Sequence, residues 1–297
     1  MQKIVPQLWF VEGAKDVASF YISLFGKGSA MVWKQLLRNT RSGEYEVVLF
    51  DLCGFKLLAF SGGPYFKMNP SISFIARCKT TEEVERVWKG LSSKGNIIMP
   101  LKKHLAGIKF GQVRDRFGIT WQVVQIESRE EEWPKIVPAL QFCGKQHGNA
   151  KAAGDHYLSV FKDSKRGRLE QYKMPEHHPG SDPVIYSDFR LENVWIAAID
   201  SGFHIHSKFN EAVSFIIRCD TQEEIDYYWK NLSVLPEAEY RGWLKDRFGV
   251  SWQILPVRLE EMVLRGTPKQ REHVANALGL MKKVDIAELE KVYKENE

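Results

Sequence analysis

The chain repeats itself. KIVPQLWF at 3–10 returns as KIVPALQF at 135–142, SFIARCKTTEEVERVWKGLS at 73–92 as SFIIRCDTQEEIDYYWKNLS at 214–233, and RDRFGITWQ at 114–122 as KDRFGVSWQ at 245–253. Twelve of the 20 positions in the middle block are identical, so the fold of one copy constrains the fold of the other. The blocks are unevenly spaced, which places loop insertions in the first half of copy two and a deletion of about ten residues near 234–241. The duplicated domains are read as 1–127 and 133–257, and 258–297 lies outside the repeat.

Within a copy, the apolar run Lys3 to Phe10 suits a strand, and Ala14, Val17, Ala18, Tyr21, Ile22 and Phe25 follow at helical spacing up to Gly26. Three strand-like runs come next, near 30–37, 45–52 and 55–60, broken by Ser42-Gly43 and by Gly54. The same order restarts at Ser71. A strand leads to Thr80 and Glu83, a capping box for a helix whose Val84, Val87, Trp88 and Leu91 share one face, and Thr221 with Glu224 repeats that cap. Strands are expected at 96–99, 110–114 and 119–125, the last two joined by a tight turn at Asp115 to Gly118. Each copy therefore reads as two βαβββ units. In the tail, Val274, Ala277, Leu278 and Met281, then Asp285 and Glu288 ahead of Leu289 and Tyr293, predict two amphipathic helices that pack on the domains or on a second subunit.

Composition narrows the function classes. With 44% apolar and 27% charged residues the chain has the makeup of a globular protein. Its 42 Lys plus Arg against 37 Asp plus Glu are spread without a basic block, which argues against nucleic acid as a partner. No apolar stretch is long enough for a membrane span, no leader pattern opens the sequence, and Cys53, Cys78, Cys143 and Cys219 lack C-x-x-C spacing. A cytoplasmic protein without membrane contact is expected, either a monomer or a homodimer.

Paired βαβββ units ending in DRFG-x-S/T-W-Q resemble the vicinal oxygen chelate superfamily of glyoxalase I, extradiol dioxygenases and bleomycin-resistance proteins. The PhnB-like branch, named after a 3-demethylubiquinone-9 3-methyltransferase domain, is the nearer match. The matching residues are Phe20-Tyr21, GGPYFKMN at 62–69, RCDTQEEIDYYW at 218–229, GWLKDRFGVSWQILP at 242–256 and MKKVDIAELEKVY at 281–293. The resemblance implies an α+β fold: tandem glyoxalase-like domains, each of two βαβββ units forming a curved mixed-sheet cup, plus C-terminal helices. Metal-dependent members of the superfamily hold a divalent ion in the cup. At the corresponding positions this chain carries Pro6 and Pro138, Ser73 and Ser214, Ala59 and Ala198, and Gln122 and Gln253. Proline has no ligating atom and a neutral amide is a poor lone ligand for a hard cation, so no metal and no other cofactor is expected.

Histidines elsewhere in the chain are the other candidate ligands. His204 and His206 would share a strand face, and His177 with His178 sit in a Pro-flanked loop, but copy one has no counterparts, and solvated loop histidines are the expectation. His147 and His156 read as surface or helix-flank residues, and His104 and His273 have no evident partner. Arg77 and Arg218, at equivalent strand ends, either attract an anion or are solvated. A methyltransferase activity has no support, because the glycine-rich turn of a doubly wound cofactor sheet is missing.

What remains is a binding site. Gln122 and Gln253 alternate with the apolar residues beside them and either orient a ligand or satisfy neighbouring backbone. Ser73 and Ser214 add hydroxyls, and Phe10, Phe110, Phe142 and Trp243 either wall a planar ligand or pack the core. The expected function is metal-free binding of a small hydrophobic or aromatic molecule. The competing expectations are a divalent-metal lyase, isomerase or dioxygenase and a structural or interaction module.

Overall fold

The computed structural model describes residues 1–40, 43–103, 108–126, 134–172, 182–201 and 207–295. Copy one begins with β1 (Ile4–Phe10), α1 (Ala14–Phe25), β2 (Ala30–Thr40), β3 (Gly43–Leu52) and β4 (Phe55–Ser61). It continues with β5 (Ile72–Cys78), α2 (Thr81–Ser92), β6 (Asn96–Lys103), β7 (Lys109–Arg114) and β8 (Thr120–Gln125). Copy two supplies β9 (Ile136–Phe142), α3 (Ala150–Val160), β10 (Ser164–Gln171), β11 (Val184–Leu191) and β12 (Val194–Asp200). Then come β13 (Val213–Cys219), α4 (Gln222–Leu232), β14 (Trp243–Lys245) and β15 (Ser251–Pro256). The tail forms α5 (Val257–Arg265), α6 (Pro268–Leu278) and α7 (Ile286–Lys294).

These strands form two curved mixed sheets, and neither sheet is built from one copy. Sheet A runs β14-β15-β13-β1-β4-β3-β2, and sheet B runs β10-β11-β12-β9-β5-β8-β7-β6. The first unit of each copy thus joins the second unit of the other. The seams are antiparallel, Gln7 opposite Ser214 on β1 and β13, and Ser73 opposite Ala139 on β5 and β9. Two equivalent ion pairs close them, Lys3 on Glu224 at 2.8 Å and Lys135 on Glu83.

The helices cap as their sequences dictate. Thr80 Oγ1 accepts from the Glu83 N–H and Thr221 Oγ1 from the Glu224 N–H. The glutamates reach one residue further back than a capping box requires, accepting from the N–H of Lys79 and of Asp220. One core then runs through the molecule on the helix-bearing faces, and in it Trp121, Trp252, Tyr21 and Tyr157 are fully buried. Its centre explains the repeated DRFG-x-S/T-W-Q string. Asp115 Oδ1 accepts from the N–H of Phe117 and Ile119 while its Oδ2 accepts from Tyr21 and from Trp121 Nε1. Asp246 does the same with Phe248, Val250, Tyr157 and Trp252. Gly118 (φ +88°) and Gly249 (φ +85°) turn the chain between the aspartate and the tryptophan. Because α1 packs on sheet A and Asp115 lies on sheet B, each Tyr–Asp bond ties the two sheets within one copy.

Copy two departs from copy one at the deletion. The residues before β14 hold only a short 3₁₀ turn at Pro236–Ala238, so among the described residues sheet A has seven strands and sheet B eight. Tail backbone borders the shortened strand: Arg241 N–H donates to Met281 O at 2.8 Å and Gly242 N–H to Lys282 O at 2.7 Å. The tail is three helices where the spacing predicted two. The unforeseen α5 follows Pro256 directly, and a Thr267–Gln270 capping box with Pro268 at the first helical position then opens α6. The longest helices have 12 residues, and none of the described helices is long and apolar enough to cross a membrane.

Candidate ligand-binding site

Period-two alternation decides which side chains leave the core. On β1, Ile4, Leu8 and Phe10 enter the main core while Val5, Gln7 and Trp9 face the opposite, concave side of sheet A. On β15, Trp252 and Ile254 are core, and Ser251, Gln253 and Leu255 are concave. A cavity of about 630 Å³ opens there, with Gln7, Ser251 and Gln253 on its floor. Gln253 Nε2 donates to Ser214 Oγ at 2.9 Å, which leaves the amide oxygen as the acceptor it can offer. Ser251 Oγ is fully buried and has no hydrogen-bond partner among the described residues, and the same holds for Thr120 Oγ1 at the equivalent position of copy one.

The walls are aromatic. Trp9 meets Phe60, Phe66 and Trp243 edge-on at centroid distances of 4.8, 5.0 and 6.4 Å. The run 62–69 builds one side of this box: Trp9 Nε1 donates to Gly63 O at 2.8 Å, and Tyr65 and Phe66 line the cavity. Gly62 sits beneath the rings, where an added Cβ would lie 2.3 Å from Trp9 Cζ2 and 2.4 Å from Phe60 Cε1. On the rim, Lys245 pairs with Glu211 at 2.9 Å. From the other side α6 contributes Ala275 and Leu278.

The concave side of sheet B has different chemistry. Ser73 Oγ accepts from Gln122 Nε2 at 3.0 Å and from Gln141 Nε2 at 2.7 Å, and Ser201 donates to Gln141 Oε1 at 2.7 Å. The copies align Trp9 with Gln141, and strand register aligns Phe60 with Ile199 and Trp243 with Gln112. The walls made by Trp9, Phe60 and Trp243 are thus lost in the second cup. Further along that face, Tyr186 donates to Asp188 Oδ2 at 2.9 Å. Burial pushes Asp188 above the usual carboxylate range, against the pull of the Arg168 N–H, the Tyr186 hydroxyl and the Arg168 and Arg77 charges.

Of the residues expected at a site, Gln253, Ser214 and Trp243 share the sheet A cup, and Gln122, Ser73 and Phe110 the concave side of sheet B. Phe10 and Phe142 do not belong: both are in the main core, against Phe117 and against Phe209 and Phe248. Their neighbours Trp9 and Gln141 hold the concave positions, a one-residue shift that reverses the face of a strand. The same shift corrects the metal alignment. Pro6 pairs with core Phe215, and Ala59 and Ala198 are core residues, so Gln7, Leu58 and Ala197 stand on the concave side.

Both floors consist of neutral amides and hydroxyls, a donor set unsuited to a hard divalent cation or to zinc. Among the described residues no three His, Cys, Asp or Glu side chains converge as a metal site would require. His104, His177, His178, His204 and His206 lie outside the described residues. His147 Nδ1 is 2.9 Å from Ser201 O, and His156 lies half-buried beside Phe248. Burial pushes the Cys78 and Cys219 thiols up to about 12, which removes them as nucleophiles. Arg218 is neither solvated nor open to an anion, because Glu260 of α5 pairs with it and also accepts from Trp33 Nε1 at 2.8 Å.

Paired βαβββ units closing two curved cups define the vicinal oxygen chelate fold. Glyoxalase I from Zea mays superposes with a TM-score of 0.56 over 85% of this chain and 90% of its own, at 11% identity. The chain belongs to the 3-demethylubiquinone-9 3-methyltransferase family, whose model matches residues 2–124 and again 134–255. The PhnB protein from Bacillus cereus is 28% identical, matched over 42% of this chain and 100% of its own with a TM-score of 0.39. No curated protein matches the chain.

Proposed function

We propose that the protein binds a small aromatic molecule in the sheet A cup, without metal and without covalent chemistry. The observation that carries this reading is the cavity of about 630 Å³ whose aromatic box stands over a floor that offers the Gln253 amide oxygen as an acceptor. A flat ring with a hydroxyl suits this site: the ring packs edge-to-face on Trp9 and Trp243, and the hydroxyl donates to Gln253. Enzymatic chemistry finds no support in this cup, since its floor holds neither an activated nucleophile nor a titratable acid–base pair. The methyltransferase in the family's name is a name, and this fold has no doubly wound sheet with a glycine-rich turn to take an adenosine cofactor.

Calorimetric titration with a panel of hydroxyaryl ketones, the smallest being 4-hydroxyacetophenone, tests the reading. Saturable one-to-one binding is expected, unchanged after exhaustive dialysis against EDTA and weakened at least tenfold by Trp9→Gln, the residue that the other cup carries. Binding that disappears with EDTA, or that Trp9→Gln leaves untouched, rejects it.

A further inference from the structure

A second cavity, of about 200 Å³, lies between sheet A and the C-terminal helices. It shares Gln7, Leu37, Phe60, Leu255, Ala275 and Leu278 with the larger one, so the two lie against opposite sides of one set of side chains. Their chemistry differs. The larger cavity carries the floor amides, Ser251 and the Lys245–Glu211 pair, whereas the smaller is walled by Leu49, Leu58 and Ile216 from the sheet and by Val263 and Val274 from the helices. Most of the polar groups that border it are engaged: Arg218 pairs with Glu260, Trp33 Nε1 donates to the same carboxylate, and Arg271 Nη2 donates to Leu264 O at 3.2 Å, while Arg271 Nε has no partner among the described residues. The smaller cavity is lined chiefly by aliphatic side chains, which suit an alkyl chain.

We infer that the cup takes an amphiphile, with a polar aromatic head in the box and an unbranched alkyl chain in the slot beneath α5 and α6. This rests on the reading of the box given above and adds the chain. The helices belong to the one segment outside the duplication, so the slot exists over sheet A because the tail roofs an apolar strip of the sheet, Val5, Leu49 and Ile216. The roof makes a narrow channel of what would otherwise be an exposed patch. Apolar walls reward each buried methylene with about a fourfold gain in affinity, the equivalent of ~0.8 kcal/mol per CH₂.

The experiment is a titration series of 4-hydroxyphenyl alkyl ketones, from methyl through octyl, against the full chain and against Val263→Phe and Leu259→Phe, two half-buried positions that narrow the slot from the helix side. Affinity is expected to climb about fourfold per added carbon over the first members and then level off as the slot fills. In either variant that folds, shown by an unchanged circular dichroism spectrum, the climb per carbon is expected to shrink at least twofold. A methyl ketone that binds while longer chains gain nothing overturns the alkyl slot and leaves the aromatic box standing. A series in which no member binds removes both. A climb that persists undiminished in both variants places the chain elsewhere and also overturns the inference.

Discussion

Replacing Asp246 by asparagine tests whether the DRFG aspartate is a core staple or a functional acid. The carboxylate serves four donors: the Phe248 and Val250 N–H at 2.9 and 3.0 Å through one oxygen, and the Tyr157 hydroxyl and Trp252 Nε1 at 2.6 and 2.8 Å through the other. Asparagine has one acceptor oxygen, so its NH₂ must face one of these pairs. The Tyr157 hydroxyl can turn and accept, but an indole or backbone N–H cannot, and at least one buried donor is orphaned at a cost of about 1–3 kcal/mol. The surviving bonds also lose their charge assistance, about 1 kcal/mol each. Set against this, burial pushes the Asp246 carboxyl above its usual range, so the neutral amide recovers part of a desolvation cost. A net loss of about 2–4 kcal/mol is expected for Asp246→Asn, and about 1.5–3 kcal/mol for Tyr157→Phe, which removes one charged hydrogen bond. Urea unfolding followed by tryptophan fluorescence and circular dichroism measures both, and the double variant should lose less than the sum because the two changes share a bond. An Asp246→Asn protein within 0.5 kcal/mol of the parent would refute the staple, as would full additivity.

Gly62→Ala should collapse the aromatic box, since the new methyl occupies the space of the Trp9 and Phe60 rings; a loss of at least tenfold in affinity for hydroxyaryl ketones is expected by calorimetry, with the fold retained. Ser251→Ala removes a buried hydroxyl that has no partner among the described residues, so the protein should keep or gain stability, read by thermal unfolding. Acidification should weaken the fold in two stages. Burial, then the Arg247 charge, holds His156 below its ordinary 6.5, so its contribution is complete above that value and is lost as pH falls through the depressed one. Glu83 and Glu224 are raised by burial but lowered further by their lysines and backbone donors, so their contribution is present above about 4.5 and is lost as pH falls through their depressed values. Unfolding midpoints between pH 7 and about 2 should fall in both windows, and Lys3→Met should flatten the lower one.

Much of this architecture is legible in the residues. The repeat, the paired βαβββ order, the Thr80 and Thr221 caps and the concave placement of Gln122 and Gln253 follow from period and alternation. The strand β1 misleads because IVPQLWF is apolar on both faces, one packed in the core and one lining the cup, so alternation alone cannot say whether Trp9 or Phe10 is the wall. A comparison of the copies carries the missing signal: Phe10 is matched by Phe142 and both are core, whereas Trp9 is matched by Gln141 and the two differ because the cups differ. The exchange of halves is not written locally, because β1 and β9 present nearly the same edge chemistry and each could in principle pair with either second unit. The slot depends on α5, whose short sequence directly after a strand gave no spacing longer than two turns to read.

Joining the copies in one polypeptide has an evolutionary consequence. In a symmetric pair of identical subunits one gene writes both basins, and any change that sharpens one alters its twin. Here a substitution on β1 and its counterpart on β9 fall in opposite basins, so mutation can reshape them independently: one carries Trp9 and a roof of tail helices, while the other has linked glutamines on its floor. The fusion therefore releases the two basins from enforced sameness, yet leaves each still dependent on both halves of the chain for its walls.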